Sequence, residues 1–176
     1  MLQSTQRRGI ARTMMQVGAG WRGGWFTDVD LVTLKGRRAG SYEVPGGIQF
    51  VEINAPRLLR SIGPLTRYLK ETRPEAVLAA GEPANHVTLP ASRIVRSTAR
   101  TAISVLTLLS IDAANIRARG APPRLRAVPR LVRRFYPRAD GIVAVSAGVA
   151  DDVTTPFGIC SDLIRVIHNP VEGDVA

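Results

Sequence analysis

Side chains able to do chemistry are sparse in this 176-residue chain, which holds two histidines and one cysteine. The stretch that concentrates candidate groups runs from Phe135 to Asp152, FYPRADGIVAVSAGVADD. Gly141 to Val145 is an unbroken apolar run, the pattern of a strand buried on both faces of a parallel sheet. Ser146 then supplies a good helix N-cap, Gly148 falls just inside the helix, and Asp151 and Asp152 continue it. A strand ending in Ser-x-Gly at a helix N-terminus exposes backbone N–H groups. Gly148, lacking a side chain, lets a ligand approach them closely. In an open α/β sheet such turns line the crevice at the carboxyl ends of the strands, where ligands bind.

The other reactive side chains read first as structure. His86 falls on a helix, where a satisfied structural role outweighs catalysis, and His168 reads as a strand-end histidine. The single cysteine, Cys160, excludes an intramolecular disulfide and a cysteine-based metal site, and reads as a small apolar filler before a reactive thiol. No carboxylate cluster suggests a metal, and no cofactor is implied.

The elements that must position these groups alternate in type. Strands are expected at Asp28–Leu34, Gly47–Ile53, Ala76–Ala80, Thr101–Val105, Gly141–Val145 and Ile164–Ile167, from apolar and β-branched runs bounded by turn residues. Helices are expected from Gly9, at Pro56–Thr72 with Leu58, Leu59, Ile62, Leu65 and Leu69 on one face, at Pro83–Arg96, and at Leu125–Phe135. Leu108 to Arg119 is ambiguous. Alternation of this kind implies a parallel sheet covered on both faces, an α/β, Rossmann-like domain. Residues 1–171 read as one domain with a substantial core.

Several segments carry a family resemblance. Pro129 to Asp140 (PRLVRRFYPRAD), then Gly-Ile-Val-Ala-Val-Ser, and Ile164 to Val171 (IRVIHNPV) are similar to the N-terminal half of family 4 glycosyltransferases of the GT-B fold. Tyr68 to Leu78 (YLKETRPEAVL) is similar to the corresponding earlier segment. The resemblance implies the acceptor-binding half of an enzyme that moves a sugar from a nucleotide-sugar donor to a hydroxyl acceptor, one that can be lipid-linked. It assigns substrate contacts to Gly9, Ser104, Thr107, Ser146, Gly148 and Asn169. Catalytic residues stay unassigned: where the family commonly has a histidine after the strand at Thr101–Val105, this chain has Leu106, which can neither bond a hydroxyl nor move a proton. The family's nucleotide-sugar site and paired glutamates belong to a second half, so a chain ending at Ala176 is expected to be inactive alone, with 172–176 opening the interdomain linker. The alternative is a stand-alone, non-catalytic binding module for an acceptor, a partner subunit or an anionic membrane surface. The family's first strand also has no counterpart. Since that strand is central, the sheet should contain a gap, or be rearranged, or use Met1–Gln6 as a makeshift strand.

The net charge of +10, carried almost wholly by arginine, favours anionic partners. Arg124, Arg126, Arg130, Arg133 and Arg134 project largely away from the apolar face of the helix ending at Phe135. Leu125, Val128, Leu131, Val132 and Phe135 form that helix's apolar face, and the arginines read either as a solvated face or as a contact for anionic lipid head groups at a cytoplasmic membrane surface. Few aromatics and no recognition motif argue against nucleic acid. No apolar run approaches a membrane span of about 18 residues.

Overall fold

The computed structural model describes residues 1, 9–24, 26–35, 43–96, 98–118, 120 and 127–169. The expected alternation is present. In chain order the main elements are α1 (Gly9–Gly24), β1 (Asp30–Thr33), β2 (Gln49–Glu52), α2 (Ile62–Thr72), β3 (Ala76–Ala80), α3 (Glu82–Val95), β4 (Arg100–Val105), α4 (Leu109–Ala118), α5 (Val128–Phe135), β5 (Gly141–Ala144), α6 (Ala147–Thr154) and β6 (Ile164–Val166). All strand pairs are parallel.

β3, β4, β5 and β6 form a four-stranded sheet in that order. β4 pairs with β3 from Ala76↔Arg100 to Ala80↔Ser104, and with β5 from Ala102↔Gly141 to Val105↔Ala144. Asp140 sets this register: its carboxylate accepts from Thr101 N–H at 2.7 Å, and its own N–H donates to Thr101 O at 2.9 Å. Ile103, Ile142 and Ala144 are at most 1% exposed and pack with Val132, Tyr136, Val149 and Val153 from the covering helices.

Most boundaries fall within two residues of expectation, and two differ for local reasons. Pro56–Thr72 is not one helix: a 3₁₀ turn at Leu58–Ser61 precedes α2, and no side chain caps either start. Pro64 is accepted in the first turn of α2, where its missing N–H would have had no intrahelical partner. α2 then closes on Arg73 with φ +47°, just before Pro74, which cannot continue a helix. The ambiguous segment from Leu108 becomes α4. The arginine helix is described from Val128; its Leu125 start, with Arg124 and Arg126, lies outside the described residues, as do residues 170–176. Val132 is buried and Arg130, Arg133 and Arg134 are exposed, as the amphipathic pattern requires. Cys160 corrects its reading as an apolar filler. It is exposed, preceding the 3₁₀ turn Ser161–Leu163, while neighbouring Ile159 fills the core.

β1 and β2 form a separate two-stranded sheet. Between β1 and β3 lies a cavity of about 490 Å³. Asp28–Val32 and Ala76–Leu78 border it, with Met14, Val17 and Trp21 of α1 on one side and Leu65, Tyr68 and Leu69 of α2 on another. Among the described residues only Met1 stands in this gap. Its terminal amine donates to Leu78 O, and its carbonyl accepts from Ala80 N–H at 3.0 Å, the two bonds of a parallel ladder opposite Ala79. The rest of the expected makeshift strand, residues 2–6, lies outside the described residues. Burial pushes the Met1 amine down to about 5 from 8.0.

The space is partly open and its lining includes Asp28, Asp30, Thr72, Arg73 and Glu75, so water can enter it. The space therefore belongs to polypeptide or water. We expect an engineered extension of about six apolar residues before Met1, long enough to run along β3, to raise the melting temperature by several degrees. Because the amine's folded pKa is depressed, its favourable contribution is present above pH 8.0 and lost as pH falls toward about 5. Thermal melts across that range should show this slope in the original chain and not in the extended one. Equal melting temperatures for both chains would refute the strand-slot reading of the cavity.

Candidate functional site

The crevice lies at the carboxyl ends of β3, β4 and β5, where α3, α4 and α6 begin. Ser146 caps α6 as its type suggests, accepting from Val149 N–H at 3.3 Å. Its hydroxyl is therefore engaged in the cap. Gly148 is exposed, and its ideal Cβ position has nothing within 4 Å, so this helix start is open to a visitor. Asn169 is exposed beyond β6, next to His168, whose Nδ1 lies 3.1 Å from Val145 O. That contact fixes Nδ1 as the protonated nitrogen and ties the strand end down, as the structural reading of His168 holds.

Gly9 starts α1 and is exposed. The next residue, Ile10, reaches Gly81 at the turn between β3 and α3: a Cβ added to Gly81 would meet Ile10 Cδ1 at 3.5 Å and Leu106 Cδ1 at 4.0 Å. Gly81 has φ +83°, a conformation only glycine takes without strain. Thr107 is exposed after β4 and donates to Asp112 at 2.9 Å. Ser104 is 3% exposed and lies within the sheet rather than on the crevice surface. Its carbonyl accepts from Asn85 Nδ2 at 3.0 Å and from Gly81 N–H at 3.3 Å. Leu106 is half-buried and packs in the apolar cluster of α1, so it serves as wall rather than as chemistry.

The structure adds a group that sequence reading did not single out. Glu82, the first residue of α3, is partly buried beside Asn85 and His86. Asn85 Nδ2 also reaches the hydroxyl of Tyr136, 3.3 Å away, and the His86 ring tilts against Tyr136 with centroids 5.8 Å apart. Burial, reinforced by Asp112 and Asp152, pushes the Glu82 carboxyl up to about 7. Burial lowers His86 to about 4. Tyr136 is raised, mainly by burial and then by the charge of Glu82. His86 is buried, as the structural reading holds, but among the described residues neither ring nitrogen has a hydrogen-bond partner. A signal was present, since Glu82, Asn85 and His86 are polar at i, i+3 and i+4 on a helix that is otherwise largely buried. Asp112 and Asp152 are engaged elsewhere, the latter accepting from Ser110 N–H at 3.1 Å and from its hydroxyl. Among the described residues, no group of three ligating side chains is placed to hold a metal.

A parallel sheet with helices on its faces and helix starts gathered at the strands' carboxyl ends defines a Rossmann-like domain of the GT-B type. Residues 8–174 match the family profile Glycosyltransferase Family 4, and the chain belongs to that family. No curated protein sequence matches it. Among solved structures it is similar to the apo lipopolysaccharide outer core galactosyltransferase WaaB, with TM-score 0.69, 13% identity, and 97% of this chain covering 44% of that one. Anabaena HepE in complex with UDP and glucose gives TM-score 0.70 and 18% identity over the same shares. A UDP-N-acetylglucosamine 2-epimerase from Rickettsia bellii gives 0.59 and 12%, with 93% of this chain covering 43% of that one. At these identities the likeness is one of fold. The chain spans less than half the length of each neighbour, consistent with an N-terminal half.

Glu82 and His86, displaced in opposite directions, set the pH response. The raised carboxyl contributes stability that is present below about pH 4.5 and is lost as pH rises through about 7. The depressed imidazole contributes stability that is present above about 6.5 and is lost as pH falls through about 4. We expect Glu82→Gln to stabilise the chain above pH 7 and to match the parent in acid, and His86→Phe to soften acid unfolding. A tenfold change in either proton equilibrium on folding corresponds to about 1.4 kcal/mol. Melting curves taken from acid to mild alkali check both, and parallel curves for parent and variants would refute the assignment.

Proposed function

We propose that this chain is the acceptor-binding half of a glycosyltransferase that moves a sugar from a nucleotide-sugar donor to a hydroxyl acceptor, with no transfer activity on its own. The supporting observation is the gathering of helix starts at the carboxyl ends of β3, β4 and β5. The exposed helix start at Gly148, the Gly81–Ile10–Leu106 contact and the exposed Thr107 converge where open α/β sheets take ligands. Family membership gives that crevice a chemistry. In the whole enzyme this half would hold the acceptor hydroxyl in line with a donor bound opposite. The gain would come from orientation, from water exclusion and from fixed dipoles. Helix starts such as that of α6 offer N–H groups to negative charge or lone pairs. A stand-alone binding module uses the same crevice without the donor.

A cytoplasmic, peripheral placement is the second part of the proposal. No described helix is long and apolar enough to cross a membrane. Arg130 and Arg134 are exposed one turn apart on α5 and suit anionic lipid head groups. Arg133 is committed to the fold instead: it donates to Pro156 O at 2.8 Å, and its guanidinium lies 5.9 Å from the Phe157 ring centroid.

Calorimetric titration of the chain with UDP-glucose and GDP-mannose should give no binding tighter than millimolar, about 4 kcal/mol. A micromolar constant, about 8 kcal/mol, would overturn the acceptor-half reading. Co-sedimentation with vesicles should rise with the anionic lipid fraction and fall with salt. It should also drop about thirtyfold in the double variant Arg130→Gln, Arg134→Gln, at about 1 kcal/mol per arginine. Undiminished sedimentation would remove these two residues from any membrane contact.

A further inference from the structure

The ladders fix which backbone groups face the cavity between β1 and β3. On β3, Glu75 O accepts from Arg100 N–H at 2.9 Å and Gly81 N–H donates to Ser104 O at 3.3 Å, so the odd-numbered positions serve β4. Backbone groups alternate in direction along a strand, so Ala76, Leu78 and Ala80 turn theirs the other way. The two bonds to Met1 lie on that side. On β1, Val29 O and Thr33 O accept from Gln49 and Ile53 N–H of the β2 segment at 3.1 and 2.8 Å. Asp30 and Val32 therefore direct their backbone groups away from β2. Asp30, Val32, Ala76 and Leu78 all line the cavity, so two strand edges face one space.

Direction and length of an occupant follow. Met1 bonds in parallel register opposite Ala79, and the cavity borders Ala76–Leu78, on the N-terminal side of that pairing. A strand filling it parallel to β3 would start near Asp28 and Glu75 and end beside Met1. The wall from Asp28 to Val32 is about 16 Å long at about 3.3 Å per residue, enough for about five residues.

Side chains along the walls select its composition. Met14, Val17 and Trp21 of α1 cover one face, and Leu65 and Leu69 of α2 cover the other. Alternate side chains would meet apolar surroundings on both faces, so the occupant is apolar throughout, as strands buried on both faces are. Its starting end differs. Asp28 and Glu75 are exposed there, and Asp30, which accepts the Tyr68 hydroxyl, adds a third carboxylate against the guanidinium of Arg73. In a chain of net charge +10, this acidic rim favours a positive group.

We propose that the cavity is a β-augmentation site for an extended, apolar segment of a second polypeptide, lying parallel to β3 with a basic N-terminal end among Asp28, Asp30 and Glu75. Main-chain bonds supply affinity in this mode, and the alternate side chains supply specificity. The proposal rests on the strand-slot reading of the cavity. It is independent of the crevice, which lies at the carboxyl ends of the strands.

Amide NMR titration of the chain tests this, with the amidated pentapeptide KVLVV as probe. The Leu78 and Val32 amides should shift and gain protection from hydrogen exchange, with a Kd below about 1 mM. The acetylated, amidated pentapeptide EVLVV should bind at least about tenfold more weakly, the ratio that 1.4 kcal/mol gives, with a difference that shrinks in salt. Methylating the peptide nitrogens that face β3 should abolish binding. These changes are made in the peptide, so the fold of the chain is undisturbed. The chain extended before Met1 should not bind the peptide, its slot being filled. Equal binding of the methylated or the acidic peptide would overturn the proposal. So would shifts at Leu78 and Val32 that follow chain concentration alone, which mark pairing between two copies. No shift in the parent while the extended chain melts higher would overturn it and spare the strand slot. No shift together with equal melting would overturn both.

Discussion

Parallel strands bond along both edges, and the junction between β3 and the β1–β2 pair, where Met1 is the described residue bonded to β3, governs how the described parts are arranged. β3 turns one edge to β4 and the other to a gap, in which Met1 supplies two ladder bonds. α1 and α2 close over that gap from the two faces, burying Met14, Met15, Leu65 and Leu69. The position of α1 then decides where Ile10 falls, and Ile10 against Gly81 forms one wall of the crevice. Sheet completion and site shape are thus a single problem in this chain.

On the far side of that wall the chemistry is set by burial more than by contact between charges. Asn85 links three segments at once, reaching Ser104 O of β4 and the hydroxyl of Tyr136 from its place on α3. That bridge holds a carboxyl and an imidazole in surroundings that disfavour their charged forms. A protein with a strongly basic surface keeps an acidic, nearly neutral interior at the mouth of its crevice.

Much of the frame was legible because its signals are local. Apolar runs bounded by Gly and Pro located six strands, the Ser146 cap opened α6 as its residue type implies, and the amphipathic pattern of α5 placed Val132 inward and Arg130 and Arg134 outward. Asp140, which closes the family-like segment from Pro129, has a physical meaning too, since it holds β4 and β5 in register through Thr101. The site was less legible because its members meet across long sequence separations: Asn85 and Tyr136 are 51 positions apart. His86 could be placed in the interior from its helix, but whether its nitrogens were satisfied depended on partners no spacing rule reveals. Ser104 was assigned to the crevice by its place at a strand end, and β4, with neighbours on both edges, carries it inside. Attention to the absent histidine at Leu106 also drew weight from Glu82, one strand away.

The division into two half-sheets has a dynamic consequence. Among the described residues, β1, β2 and α1 join the larger sheet through Met1's two bonds and through apolar clusters that include Ala80, Leu78 and the α2–α3 packing. Regions with fewer shared bonds open at lower free energy than the whole molecule. Ile10, carried by α1, touches Gly81 across this seam, so any opening of the seam would move one wall of the crevice. Entry to the crevice would then be governed by the fluctuation of a sheet seam rather than by a loop.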